Sequence, residues 1–135
     1  MDNLRDEARR LEKEAKAERE DLNKKANLFL EAAKIWQQIG NERNWKWNVA
    51  NYHIVKGEIY WHNSEFHKAR ECFKKAGELH LELNLPKAAC YCASKHISTY
   101  YRDNLYYTEP IRGIMNNMLR PKITIEAEKL PEKSI

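Results

Sequence analysis

The chain has 135 residues, the size of one domain, and it is 42% hydrophobic and 33% charged with a net charge of +4. It contains no run near the roughly 18 apolar residues that a bilayer span needs, and its charged N-terminal stretch does not resemble a secretory signal, so we expect a cytoplasmic protein. Its three cysteines cannot close a disulfide set and are expected to stay as thiols. Four glycines and four prolines are few for a turn-rich sheet protein, which favours an all-α fold.

The first 39 residues carry a helical pattern. Leu4, Ala8, Leu11 and Ala15 recur at spacings of four and three, and no Gly or Pro interrupts the stretch. The pattern predicts one long charged helix over 2–39, or a hairpin of two helices with a soft break near residues 19–22. Because the first half is thinly apolar, we expect it at the edge of the fold or against a partner.

A stop and restart follows at Gly40 and Asn41, where Gly suits the end of one helix and Asn caps the next. The next helix is predicted from Glu42 to about residue 61. It has two apolar stripes, as expected of a helix sandwiched between neighbours. Asn63 or Ser64 is predicted to cap a further helix that runs to about residue 83, which completes a repeat over 42–83.

The last third of the chain begins with Pro86, which is tolerated in the first turn of a helix predicted over 86–102. Thr108 can cap a short helix over 109–119, which Pro121 ends. Residues 121–135 are predicted to be an extended tail. The sequence therefore predicts one helical-repeat domain over 1–120, followed by this tail.

An internal repeat supports stacked helical hairpins. Two small residues flank a large one at positions i, i+4 and i+7, and the spacing recurs after 43 residues with a weaker echo 42 residues later. Small inward residues let helix backbones approach closely, as in hairpin arrays. The three copies are Ala26–Leu30–Ala33, Ala69–Phe73–Ala76 and Ile111–Met115–Met118.

The repeat resembles the tetratricopeptide family. Five positions of the family pattern are occupied by Gly57, Tyr60, Ala69, Phe73 and Ala76. The match is partial, because the earlier aromatic and Leu positions hold His53 and Lys56, and the closing proline is displaced to Pro86. The resemblance implies an all-α fold of antiparallel helical hairpins that form an α-α superhelix.

Two stretches are closest in character to the N-terminal repeats of the soluble NSF attachment protein (SNAP) family. They are ARECFKKAGELHLELNLPKAACYCA over 69–93 and ANLFLEAAKIWQQIGN over 26–41, which cover about half of the 135-residue chain. The ATPase-stimulating bundle and the membrane-contacting apolar loop of that family have no counterpart in this sequence. The resemblance therefore implies a protein-binding helical scaffold and not a vesicle-fusion adaptor.

No catalytic constellation stands out: the sequence has no P-loop, no GxSxG and no paired acids, so we expect no enzyme activity and no cofactor. The most suggestive chemistry is a His/Cys set, in which Cys92 and His96 share one helix face at i, i+4. A structural zinc site needs two further ligands, so no metal is expected. The set comprises His53, His62, His67, Cys72, His80, Cys90, Cys92 and His96.

If Gly57 takes the eighth repeat position, the resemblance places a ligand groove along two helices. The alternative for its main aromatic, Trp61, is that the next helix covers it. The predicted groove residues are Asn51, Ile54, Glu58, Trp61 and His62 from one helix and Tyr91, Lys95 and Arg102 from another, with Ser98 beside them.

These features predict a non-enzymatic protein–protein interaction scaffold that binds a peptide or helix. One alternative is a nucleic-acid-binding helical module, although basic and acidic residues are mixed throughout the chain. Another is a regulatory subunit of an enzyme complex. We also expect self-association as a homodimer through an end face, at Leu4 and Leu11 or at Met115 and Met118. The basic path for nucleic acid would be Lys46, Lys95, Arg102, Arg112, Arg120 and Lys122.

Overall fold

A computed structural model describes the backbone of residues 2–103 and the side chains of residues 2–100. This part of the chain is all-helical and contains no strand, which confirms the predicted all-α class. None of its helices combines the length and the apolar character needed to cross a bilayer. The five helices are α1 (Asp2–Ala17), α2 (Leu22–Ile39), α3 (Glu42–His62), α4 (Phe66–Glu82) and α5 (Pro86–Asp103).

The charged N-terminal stretch forms two helices, which decides between the two predicted alternatives. Side-chain hydrogen bonds make the break without Gly or Pro. The Glu18 carboxylate accepts from the backbone N–H groups of Asp21 at 2.9 Å and Glu20 at 3.2 Å, and these bonds lower the pKa of Glu18. Asp21 then caps α2 by accepting from the Lys24 backbone N–H at 3.0 Å.

The predicted stop and restart between α2 and α3 is confirmed. Gly40 adopts φ +91°, in the left-handed region that favours glycine, and its N–H donates to the Trp36 carbonyl at 2.9 Å. Asn41 caps α3, because its side chain accepts from the Asn44 backbone N–H at 2.9 Å. The two-residue link therefore closes one helix and opens the next.

The predicted cap of α4 is wrong. The residue before α4 is Glu65, which makes no side-chain capping bond, so neither Asn63 nor Ser64 caps this helix. Both of those residues close α3 instead: the Asn63 N–H donates to the Ile59 carbonyl at 3.1 Å, and Ser64 turns the chain at φ +60°. The predicted helix over 109–119, the tail over 121–135 and the third copy of the repeat lie outside the described residues.

Each described helix packs mainly on its neighbours in the chain. Helices α3 and α4 are antiparallel. Arg43, near the start of α3, donates to the Leu83 carbonyl just beyond the end of α4 at 3.2 Å. At the other end, the Trp61 and Phe66 rings meet edge to face with centroids 5.6 Å apart. Links of two to four residues allow only such close, side-by-side packing.

Contacts also join alternate helices. Glu12 of α1 accepts a hydrogen bond from Asn48 of α3 at 2.7 Å. Tyr91 of α5 donates to Glu58 of α3 at 3.0 Å. The helices α1, α3 and α5 therefore lie in a row, with α3 between the other two.

The core contains the small residues that the internal repeat predicts. Four alanines and one phenylalanine of the first two copies are buried, whereas Leu30 is half-buried. Trp36 is the largest fully buried side chain of the described residues, and Phe73 follows it. The buried repeat residues are Ala26, Ala33, Ala69, Phe73 and Ala76.

The thinly apolar helix α1 is held by a buried carboxylate. Glu12 is only 6% exposed, and its Oε2 atom accepts from Trp36 Nε1 at 2.6 Å and from Asn48 Nδ2 at 2.7 Å. Arg9 donates to the other carboxylate oxygen at 3.4 Å. Leu11 is only 5% exposed within the chain's own core, so this residue is not an exposed end-face contact for a second copy.

Candidate interaction groove

A cleft of about 320 Å³ opens where α1, α2 and α3 meet. Three of the predicted groove residues, Asn51, Ile54 and Glu58, line it together. Residues three, four and seven apart share one face of a helix, which is why these α3 side chains converge. The remaining lining residues are Lys16, Lys25, Phe29, Trp47 and Val55.

The walls of the cleft combine apolar surface with charge. The Phe29 and Trp47 rings pack edge to face, with centroids 6.1 Å apart. The Lys16 ammonium lies 5.0 Å from the centroid of Trp47, within the range of a cation–π interaction. Lys25 donates to the Glu18 carbonyl at 3.2 Å, and Asn51 donates to the Trp47 carbonyl at 2.9 Å. The cleft can therefore accept an apolar group flanked by polar ones.

Glu58 connects the cleft to a second group of predicted residues, which we call the aromatic cluster: Glu58, Trp61, Tyr91 and Lys95. The Tyr91 hydroxyl donates to Glu58 Oε2 at 3.0 Å. The Lys95 ammonium lies 5.3 Å from the Trp61 ring centroid and 5.7 Å from that of Tyr91. Six predicted groove residues thus form one continuous surface on α3 and α5.

Tyr91 is the most exposed aromatic side chain of this surface, at 43%. Partial burial of its hydroxyl and the adjacent Glu58 carboxylate raise the pKa of Tyr91 to about 12. The phenol therefore stays protonated at neutral pH and keeps donating its hydrogen bond to Glu58.

Trp61 contacts both the next helix, α4, and the later helix α5. The indole is half-buried, and Phe66 at the start of α4 packs edge to face against it with an interplanar angle of 87°. The Lys95 ammonium of α5 lies over the same indole, 5.3 Å from the ring centroid. Phe66 of α4 and Lys95 of α5 therefore both restrict the position of the Trp61 ring.

The last two predicted residues are placed differently. His62 is exposed at the end of α3 and makes no contact with the aromatic cluster among the hydrogen bonds and ring contacts of the described residues. Arg102 lies in α5, but its side chain is outside the described part. The structure therefore brings together six of the eight predicted residues.

Sequence reasoning missed five residues that line the cleft: Lys16, Lys25, Phe29, Trp47 and Val55. Trp47 precedes Asn51 by four positions and Ile54 by seven, so extending the same helical stripe would have found it. Lys16 and Lys25 carry no such signal. Their place depends on how α1 and α2 pack against α3.

The predicted metal candidates do not gather into a site. Across the described residues, no three His, Cys, Asp or Glu side chains are arranged to hold a metal ion. Cys92 is fully buried, and this burial raises the pKa of its thiol to about 11, which disfavours the thiolate that metals bind. His96 packs edge to face on Tyr100 with centroids 5.5 Å apart.

The proposed basic path is only partly described. The Lys46 ammonium pairs with Glu82 of α4 and with Glu42 at 3.1 Å, and these hydrogen bonds raise its pKa. Lys95 lies over the Trp61 ring. The side chains of the other four members, Arg102, Arg112, Arg120 and Lys122, lie outside the described part.

No protein-family model, no curated protein and no solved structure matches this chain.

Proposed function

We propose that this protein is a non-enzymatic interaction scaffold of tetratricopeptide type, with repeats closest in character to those of the SNAP family. It binds a peptide or short helix of another protein along α3 and α5. The observation that carries the proposal is Glu58, which lines the cleft and also accepts the Tyr91 hydrogen bond of the aromatic cluster. The two parts therefore form one extended surface.

The packing supports the tetratricopeptide part of the proposal. Gly57 of α3 and Phe73 of α4 both match the family pattern, and Gly57 packs directly against the Phe73 ring. The small repeat residues Ala69 and Ala76 are fully buried, which allows the close helix approach that such arrays use. Alternate helices α1, α3 and α5 share contacts and lie in a row, as needed for an elongated binding face.

The chemistry of the surface supports a peptide ligand. Trp and Tyr are frequent anchors at protein interfaces, and Trp61 is half-buried while Tyr91 is exposed. A cleft of about 320 Å³ is at the small end of the range for ligand pockets and suits one or two apolar side chains. Asn51 and Glu58 supply polar groups beside it that can fix the ends of a peptide.

Peptides selected from a random display library provide the test. Their dissociation constants are measured by fluorescence anisotropy on the wild type, Trp61→Ala, Tyr91→Ala and the control Lys34→Ala, which removes an exposed side chain of α2. We expect each aromatic variant to weaken binding about ten-fold or more, near 1.4 kcal/mol, whereas the control leaves it unchanged. Circular dichroism verifies that each variant is folded.

Unchanged affinity in folded Trp61→Ala and Tyr91→Ala would contradict the proposal. The same assay with a labelled oligonucleotide tests the alternative of nucleic-acid binding. Binding that falls steeply with added salt would favour that alternative, because phosphate contacts release counterions. Peptide binding dominated by Trp61 should change little with salt.

A further inference from the structure

The aromatic cluster surrounds a cation. The Lys95 ammonium lies within 6 Å of two ring centroids, 5.3 Å from Trp61 and 5.7 Å from Tyr91. Tyr91 is tied by its hydroxyl to the Glu58 carboxylate at 3.0 Å, so a negative charge is fixed beside the same rings. Two π faces and one carboxylate are the groups that attract an organic cation.

The occupant of this cluster belongs to the same chain and projects from a neighbouring turn of the same helix as Tyr91. Lys95 is half-buried, and its flexible four-carbon stem allows the ammonium to leave without any movement of the backbone. The rings depend less on the occupant, because Phe66 supports Trp61 and Glu58 holds Tyr91. The cluster can therefore keep its shape when Lys95 withdraws.

We infer that Glu58, Trp61 and Tyr91 form a receptor for a lysine-like cation of a bound partner, and that Lys95 occupies it in the free protein. The inference rests on the proposed function and narrows the partner to a segment that carries an ammonium group. When the partner binds, its ammonium replaces that of Lys95, and the displaced lysine moves into solvent. Lys95 itself shows that such a group fits between these rings.

The test uses the indole N–H signals of the four tryptophans in a ¹H–¹⁵N NMR spectrum, with Trp61→Phe to assign one of them. The probe is the amide of Nα-acetyl-trimethyllysine, and its neutral counterpart is the amide of Nα-acetyl-norleucine. Titrating the cation into Lys95→Met should shift the Trp61 signal until it saturates. The affinity calculated from this titration should be about ten-fold or more above that of the wild type. Adding Glu58→Gln should reverse much of this gain.

The matched control is Lys16→Met, which removes an ammonium that lies over Trp47 and leaves the aromatic cluster intact. It should not strengthen the response of the Trp61 signal. The inference would be overturned if Lys95→Met bound the cation no better than the wild type, or bound norleucine amide equally well. Circular dichroism confirms that the variants keep their helices.

The outcomes separate this inference from the proposed function. Selected peptides that bind through Trp61, without any cation response in Lys95→Met, would uphold the scaffold and overturn the cation receptor. A saturable cation response without any peptide that depends on Trp61 would support the receptor and overturn the scaffold.

Discussion

Gly57 of α3 lies directly against the ring of Phe73 in α4. A Cβ atom added to Gly57 would be 2.8 Å from Phe73 Cε1 and 2.9 Å from Cζ, closer than real Cβ atoms approach. Phe73 is almost fully buried, so its ring has little room to move. The absence of a side chain at Gly57 therefore sets how closely α3 and α4 pack.

Gly57→Ala should destabilise the fold by about 1–3 kcal/mol through overpacking, less the gain of about 1 kcal/mol that Ala brings to a helix interior. Urea denaturation followed by circular dichroism measures the change. The control is Gly77→Ala, whose Cβ would lie 3.3 Å from Cys92 Cβ and should cost less. A Gly57→Ala midpoint above the wild-type value would show that α3 and α4 do not pack this closely.

Glu12→Ala should loosen α1. The substitution leaves the Trp36 indole N–H and the Asn48 amide without their buried acceptor, and each buried donor left unsatisfied costs about 1–3 kcal/mol. Urea denaturation measures the loss, and limited trypsin digestion should cut sooner near Arg19, in the link between α1 and α2.

The control for this prediction is Glu7→Ala, which removes a carboxylate paired with Arg10 on the surface at 2.7 Å. Exposed pairs contribute little, so its midpoint should stay close to that of the wild type. Equal behaviour of the two variants would mean that Glu12 does not hold α1 in place.

His80 should make the protein less stable in mild acid. The side chain is only 2% exposed, neither ring nitrogen has a hydrogen-bond partner among the described residues, and burial lowers the pKa of the imidazole from 6.5. The unfolded chain therefore takes up a proton near pH 6.5 before the folded chain does. The free energy of unfolding should be greatest above that pH and should fall as the pH drops below it.

His80→Leu should reduce this dependence while it keeps the stability at neutral pH, because it removes two unpaired buried nitrogens. Urea midpoints at about pH 7.5 and about pH 5.5 give the comparison. Burial and the charge of Lys75 also lower the pKa of His53, which makes His53 a second possible source of the pH dependence. The variant His53→Gln measures the contribution of His53 separately. A pH dependence that survives unchanged in His80→Leu would rule out this source.

The cysteines should react at very different rates. Cys90 is exposed, whereas Cys92 is fully buried with a pKa raised to about 11 by that burial. A thiol-specific reagent at neutral pH should modify Cys90 quickly and Cys92 only when the chain unfolds. Mass spectrometry of tryptic peptides from the wild type and Cys90→Ser identifies each site. Fast modification of Cys92 in the folded protein would contradict its burial.

The sequence predicted the features that local chemistry decides. Gly40 and Asn41 mark a helix boundary because glycine suits the left-handed conformation and asparagine caps the next helix. The Ala69–Phe73–Ala76 spacing predicted burial because small and large residues alternate on one helical face. For the same reason Asn51, Ile54 and Glu58 could be placed on one surface.

Features that depend on packing between distant segments could not be predicted. Glu12 looks like an ordinary surface carboxylate in a charged helix, and only Trp36 and Asn48, which lie on other helices, explain its burial. The contact of Lys16 with Trp47 likewise requires α1 to lie beside α3. The start of α4 was misplaced because Asn63 and Ser64, good capping residues, are used to end α3.

The most direct test of the account is the footprint of a selected peptide on the ¹⁵N-labelled protein, read from backbone amide shifts. The account predicts that the largest shifts fall on α3 and α5 around Ile54, Glu58, Trp61 and Tyr91, with smaller ones near Lys16. The exposed face of α2 around Lys34 should be unaffected. A footprint centred on α2 or α4, with the α3 and α5 signals unchanged, would contradict it.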